Sequence, residues 1–302
     1  MADPVEYPYY TQAIVLTFLS GLSVIVQIPP ALWHFRHRNL AATTLVCWLI
    51  IQNLMIFINS LIWPTDDLEN WWRGAGFCDV QVHILIFTFV SCAGCVLCIM
   101  QGLARVLDTD DVIVAPSRAR RMRRAAVDVF WCFGLPTVMT GVYYVVQNIR
   151  YYVYGIVGCV ASFDSSWLGV LLMPTPPLII GLTAALYATL ILYRTFRYRK
   201  EFSRMLAASN TTPSRFLRLF IICAFFMAGI LPYQAYMLYV NMTGRDFGSY
   251  SWTRVHGPDW NVTLLVASDG VVLAEYWITV ALGYALFAFF GLGDDAMAMY
   301  RA

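Results

Sequence analysis

Residues 77–103 read FCDVQVHILIFTFVSCAGCVLCIMQGL, and after Asp79 this run carries no Asp, Glu, Lys or Arg. A helix of about 20 apolar residues crosses a bilayer core about 30 Å thick. The stretch therefore predicts a membrane span. Working outward from it, six further runs have the same character: 12–33, 40–63, 127–146, 168–193, 216–240 and 264–290. No connection between them exceeds 23 residues, which leaves no room for a separate folded domain. The expected fold is an all-α membrane protein, a bundle of seven helices forming one domain over residues 1–302. The first span is preceded by Asp3 and Glu6 and by no base, so it reads as a retained helix rather than a signal peptide.

Composition agrees. The chain is 60% hydrophobic and 13% charged, against about 45–50% and about 25% in an ordinary soluble domain. That excludes a soluble enzyme, a disordered chain and a nucleic-acid binder led by basic charge. The net charge is only +2, and its placement says more than its size. Connections 34–39, 104–126 and 194–215, with the adjoining Arg218 and the tail, hold 16 of the 20 Lys and Arg residues. The other side holds Arg73, Arg150, Arg245 and Arg254, with ten acids. The positive-inside rule then puts the N-terminus outside and the C-terminus in the cytoplasm. An outer face at net −6 favours approach of a cationic or neutral ligand over an anionic one. Two glycosylation sequons, at Asn241 and Asn261, fall on the outer side, and a third, at Asn210, falls inside.

Polar residues within spans need partners or a task. Glu275 is the sole carboxylate placed near mid-membrane, with Gln52, Asn53, Asn59, Gln81 and His83 as expected neighbours. It reads as a ligand anchor or switch; the alternative is a structural acid joining helices. Asp79 and His83, spaced i, i+4, share a helix face near its outer end. Prolines interrupt four spans at Pro29-Pro30, Pro136, Pro174 with Pro176-Pro177, and Pro232, and Pro232 is the natural hinge. Aromatics crowd the outer ends. Trp71, Trp72 and Tyr151–Tyr154 lie in loops, where they serve either the interfacial belt or the roof of a pocket. Residues 153–157 read as a short strand with a turn.

Of eight cysteines, only Cys78 and Cys159 lie on the outer, oxidising side, and a disulfide between them is expected; two free thiols are the alternative. Cys92-x2-Cys95-x2-Cys98 resembles part of an iron–sulfur run but lies inside an apolar helix, which favours buried structural cysteines. No nucleotide-binding, zinc-hydrolase or nucleophile-elbow motif stands in an acceptable context, so no enzyme, cofactor or metal is expected. Lys200 is the only lysine and lies in a connection, which excludes a retinal Schiff base.

Segments along nearly the whole chain resemble the fungal lipopeptide (a-factor-type) mating-pheromone receptors, in the fungal pheromone (class D) group of G-protein-coupled receptors. They are Trp33-His34-Phe35-Arg36-His37-Arg38-Asn39, Phe57–Trp63, Phe77-Cys78-Asp79, Arg150–Cys159, Ala185-Leu186-Tyr187, Arg197-Tyr198-Arg199-Lys200, Ser214–Leu219, Trp252 with His256, and Phe287–Gly293. Phe77 departs from the Trp frequent in that family, and relatives carry a longer tail after the last span. The resemblance implies a multi-pass plasma-membrane receptor that binds a farnesylated peptide and activates a heterotrimeric G protein. Membrane lipids are further partners, and a homodimer is left open. From depth and chemistry, Glu275, His83 and Asn59 are the expected ligand anchors, with Trp63, Trp167 and Tyr236 as apolar walls. Arg105, Arg194, Arg197, Arg215 and Arg218 are the expected G-protein-coupling residues. A small seven-helix transporter or channel is the alternative reading.

Overall fold

The computed structural model describes residues 8–108, 118–198, 200, 202, 205–206, 212–244 and 247–291. Arg199, Arg245, the sequon residue Asn210 and the tail after Gly291 lie outside the described residues. Among the described residues six helices are long and apolar enough to cross a membrane, and a seventh apolar helix, Ala274–Phe290, is shorter.

Helix α1 (Thr11–Arg36) runs along α2 (Leu40–Ile62), whose N-terminus is capped by the Asn39 side chain accepting from Ala42 N–H at 3.2 Å. Helix α3 (Phe77–Val106) is the central helix, with an almost unbroken buried run from Val90 to Met100. The fourth span begins earlier than hydropathy indicates. Helix α4 (Arg118–Val129) extends from its arginine-rich start through a π turn (Phe130–Gly134) into α5 (Leu135–Val146).

The π turn has a local cause. Pro136 has no N–H to donate to the carbonyl of Cys132, four residues earlier. The Ser91 hydroxyl donates to that carbonyl instead, at 2.6 Å, and itself accepts from Trp48 Nε1 at 2.8 Å. Gly94 lets the α3 backbone come close enough for this, since a Cβ there would strike the Trp131 carbonyl.

The fifth span is broken at Pro174 into α6 (Trp167–Leu172) and α7 (Thr175–Arg197). Helix α8 (Pro213–Thr243) passes through Pro232 without a break, and a short α9 (Trp252–Val255) follows. The last helix is α10 (Ala274–Leu286), ending in a π turn (Phe287–Gly291).

The seventh span corrects the expectation. Residues 264–273 were read as part of it, but β3 (Thr263–Val266) and a turn occupy that stretch. The apolar Leu264-Leu265-Val266 pairs in parallel with β1 (Tyr151–Tyr154), which pairs antiparallel with β2 (Gly158–Val160). The sheet order is β2-β1-β3. An apolar run of this length satisfies a strand as well as a helix, and pairing decided it. Asp269 (φ 50°) and Gly270 (φ 74°) then turn the chain into α10.

Candidate functional site

The three-stranded sheet forms a lid over one end of the bundle. Cys159 in β2 is joined to Cys78 in the first turn of α3 by a disulfide. Arg150, just before β1, makes two hydrogen bonds to the Asp79 carboxylate, at 2.7 and 2.6 Å. That carboxylate holds the Arg150 guanidinium above its ordinary pKa. Asp66, between α2 and α3, is buried and accepts from Tyr10 Oη (3.0 Å), Ser268 N–H (3.0 Å) and Asp269 N–H (2.8 Å). One carboxylate thus ties together the chain before α1, the α2–α3 connection and the turn before α10. Gly158 (φ 77°) sits directly on Asn59, where a side chain would clash.

Beneath the lid, α2, α3, α8 and α10 line a partly open cavity of about 310 Å³, with contributions from α5, α6, α7 and β2. Its walls are mostly apolar, with Met and Phe prominent, among them Met55, Phe89, Met139, Met173, Phe226 and Met237. Five polar side chains lie among them: Gln52, Asn59, Gln81, Gln234 and Thr279. Among the described residues Glu275 is the one carboxylate in the lining, and no Lys, Arg or His joins it there. The Glu275 carboxylate meets the hydroxyl of Tyr233 on α8. Asn59 Nδ2 donates to the lid carbonyl of Val157 at 2.7 Å, which fixes the amide and leaves its Oδ1 without a partner. Gln81 Oε1 and Gln234 Oε1 are likewise buried and unpartnered. A cavity of this size and apolarity with a few polar groups has the character of a small-ligand site.

Residues 15–302 match the protein family described as Pheromone A receptor. The chain belongs to that family. It is similar to the Pheromone a factor receptor of Saccharomyces cerevisiae, 28% identical over 295 residues, covering 96% of this chain and 61% of that protein. It is similar also to Pheromone receptor 1 of Mycosarcoma maydis, 26% identical, covering 95% of this chain and 82% of that protein. The Pheromone M-factor receptor of Schizosaccharomyces pombe is 25% identical over 78% of this chain and 63% of that protein. Membership of the Pheromone A receptor family and the apolar helices together make this a multi-pass membrane protein.

The expected anchors and walls of this family member separate in space. Asn59 and Glu275 border the cavity together. Glu275 does so from the first turn of α10 rather than from mid-span, because the helix starts ten residues later than expected. His83 lies elsewhere: its Nδ1 contacts the Asp79 carbonyl at 2.7 Å, and it lines a shallow groove with Trp48, Val80, Ile84 and Phe87. Trp63 is fully buried but packs under Trp72, with Nε1 donating to the Trp72 carbonyl at 2.9 Å. Trp167 and Tyr236 are 52% and 61% exposed and outside the lining. Cavity residues of α8 fall at 226, 227, 229, 230, 231, 233, 234 and 237, a broad face, and Tyr236 lies at its edge, about 100° away from Met237. Tyr233 and Gln234 are the site residues that hydropathy reading passed over. The signal was present as a single amide in an otherwise apolar span.

At the opposite end, Arg194 on α7 donates to the Ala104 carbonyl at 2.7 Å and lies 3.4 Å from Asp108. Arg105 donates to Gln101 Oε1 at 3.3 Å. The Arg215 guanidinium stacks over Trp33, 5.0 Å from the ring centre. Arg197 is exposed and Arg218 half-buried. Of the sequon residues, Asn261 is exposed in a 3-10 turn, whereas Asn241 is inside the last turn of α8, its Nδ2 bonded to the Met237 carbonyl at 2.8 Å. Among the described residues no cluster of three His, Cys, Asp or Glu could hold a metal. Cys92, Cys95 and Cys98 are buried, and Cys95 Sγ meets Cys132 Sγ at 3.5 Å.

Proposed function

We propose that this chain is a seven-helix receptor of the plasma membrane that binds a farnesylated peptide pheromone and signals through a heterotrimeric G protein. The observation that carries the reading is the apolar cavity under a disulfide-held lid, in a member of the Pheromone A receptor family. The lid end faces outward and the arginine-rich end faces the cytoplasm, as the positive-inside rule requires. A prenyl chain contributes roughly 0.8 kcal/mol per buried CH₂-sized group. The Met- and Phe-rich walls supply that burial, since methionine adapts its shape to a flexible apolar guest. Asn59 and Glu275 are the polar anchors, with Tyr233 beside them.

A guest in this cavity touches α3, α8 and α10 at once. It favours whichever arrangement of these helices fits it and so shifts an existing equilibrium. Pro232, one residue from Tyr233, is the hinge through which α8 responds. Arg105, Arg194, Arg197, Arg215 and Arg218 form the cytoplasmic face that meets the G protein and anionic lipid. The transporter or channel reading gains nothing from the cavity, where Glu275 is the only carboxylate.

The test exposes cells expressing the receptor to matched farnesylated and non-farnesylated peptides with a G-protein readout. Farnesylated peptides should activate and their unmodified counterparts should be at least tenfold weaker. Flat responses to all of them, with measurable solute flux, would overturn the proposal. Charge reversal at Arg215 and Arg218 should abolish G-protein activation while ligand binding persists.

A further inference from the structure

Among the described residues the only formal charge lining the cavity is negative, beside amides and hydroxyls that carry donors as well as acceptors. Glu275 brings a carboxylate, Asn59, Gln81 and Gln234 bring amide oxygens that have no partner, and no cationic side chain lies in the lining. All three amides are at least nine-tenths buried, at 1%, 4% and 1% exposure. The donor of Asn59 is already committed to the lid carbonyl of Val157, so its oxygen is what remains for a guest. Gln234 is held next to Gly181, where the helices approach closely. A buried acceptor left without a donor costs about 1–3 kcal/mol. Three such acceptors, from α2, α3 and α8, line the same cavity as the Glu275 carboxylate of α10, and a guest that brings donors relieves them, a cation most of all. Among the described residues the segments at the lid end carry seven acids against three bases, which favours the same sign of guest.

We infer that this cavity holds a subsite for a cationic hydrogen-bond donor, an amine or guanidinium, carried by the ligand next to its apolar part. Glu275 is the charge partner, and Asn59, Gln81 and Gln234 accept the remaining N–H bonds. The inference rests on the receptor reading for the identity of the ligand, but the chemistry of the cavity can be tested apart from it.

Purified full-length chain in detergent is titrated with dodecylamine and with dodecanoate, which share a tail and differ in head group. The amine should bind at least tenfold tighter, and Glu275→Gln should shrink the ratio to below threefold. Gln234→Leu removes one acceptor without touching the carboxylate. It should weaken the amine about threefold and leave dodecanoate unchanged, and it decides the matter if Glu275→Gln fails to fold. Equal binding of the two amphiphiles, or an amine preference that survives both substitutions, overturns the inference. In parallel, cells are given farnesylated peptides differing by one Lys or Glu, and the Lys peptides should be the more potent. Lipopeptide signalling without amine preference in the purified chain sinks the subsite and leaves the receptor reading standing. Amine preference with silence to every lipopeptide upholds the subsite and sinks the receptor reading.

Discussion

At the lid end of the bundle, several unrelated kinds of tie converge on the same few segments: a disulfide, a bidentate ion pair, three paired strands and a buried carboxylate holding donors from two distant segments. At the other end, α7 is tied to α3 through Arg194, and α8 rests on α1 through a guanidinium stacked on an indole. The first set adds a covalent bond, a paired sheet and a buried carboxylate to one ion pair that is itself about a third exposed. The second is made of long side chains near water, where an ion pair contributes about 0–1 kcal/mol. The contrast teaches where this molecule can afford to move. On the proposed receptor reading, the lid end must keep its shape to hold a flexible guest, and the arginine end must have two accessible arrangements separated by little free energy.

The comparison can be broken most directly at the disulfide. Cys78 and Cys159 are 81 residues apart in sequence, and a cross-link closing a loop of that order stabilises by about 4 kcal/mol. Cys78→Ser with Cys159→Ser should therefore show the largest loss of thermal stability in detergent, matched by reductant on the wild type. Unchanged stability would mean the lid is held by its other ties. Asp66→Ala comes next. It leaves the N–H groups of Ser268 and Asp269 and the hydroxyl of Tyr10 without their acceptor, at about 3 kcal/mol in total. Amide exchange should rise across residues 263–273 and near Tyr10 while the core of α3 stays protected. Protection unchanged in both places would remove Asp66 from its role.

These ties explain which parts of the fold were legible in the sequence. The first three spans lie close to their expected limits because each is a long apolar run that only a helix satisfies in lipid. The fourth helix starts at Arg118, outside its apolar run, because arginine favours a helix yet is too polar for an apolar run to include it. Residues 264–273 were assigned to the wrong element because Leu264-Leu265-Val266 is as apolar as a span. Its partner, β1, lies more than 100 residues earlier, beyond the reach of any local window. Asn59 and Glu275 could be found as polar residues in apolar runs. Trp63, Trp167 and Tyr236 could not be placed, because which way an aromatic points depends on helix rotation, and the periodicity of a span that is apolar on all sides does not report it.

Tyr10 gives a smaller test of the lid end, and a pH-dependent one. Its hydroxyl donates to Asp66, and the hydrogen bond and the nearby carboxylate charge raise its pKa above the ordinary 10.0. The folded state therefore holds the phenolic proton more tightly than the unfolded chain does. The stabilisation is complete below pH 10 and is lost as pH rises through the higher folded value. Tyr10→Phe should cost about 1 kcal/mol at neutral pH. Its loss relative to wild type should shrink in strongly alkaline solution, and a constant difference across pH 7–11 would show that the proton on this hydroxyl is not part of the lid.

Arg194→Met carries the smallest expected effect and bears on the other half of the comparison. The methionine keeps the apolar stem against α3 and removes the donors to Ala104 and Asp108. The guanidinium and its carboxylate partner are 22% and 33% exposed, so water replaces much of what is lost, and the cost should be about 0.5 kcal/mol. Amide exchange should then quicken at the end of α7 and the end of α3, with the lid unaffected. If Arg194→Met instead destabilises the protein as much as Asp66→Ala, the arginine end is no looser than the lid. Activation would then have to open against ties as strong as those holding the ligand, and the low-energy route between two arrangements would have to lie elsewhere, with Pro232 in α8 as the next place to look.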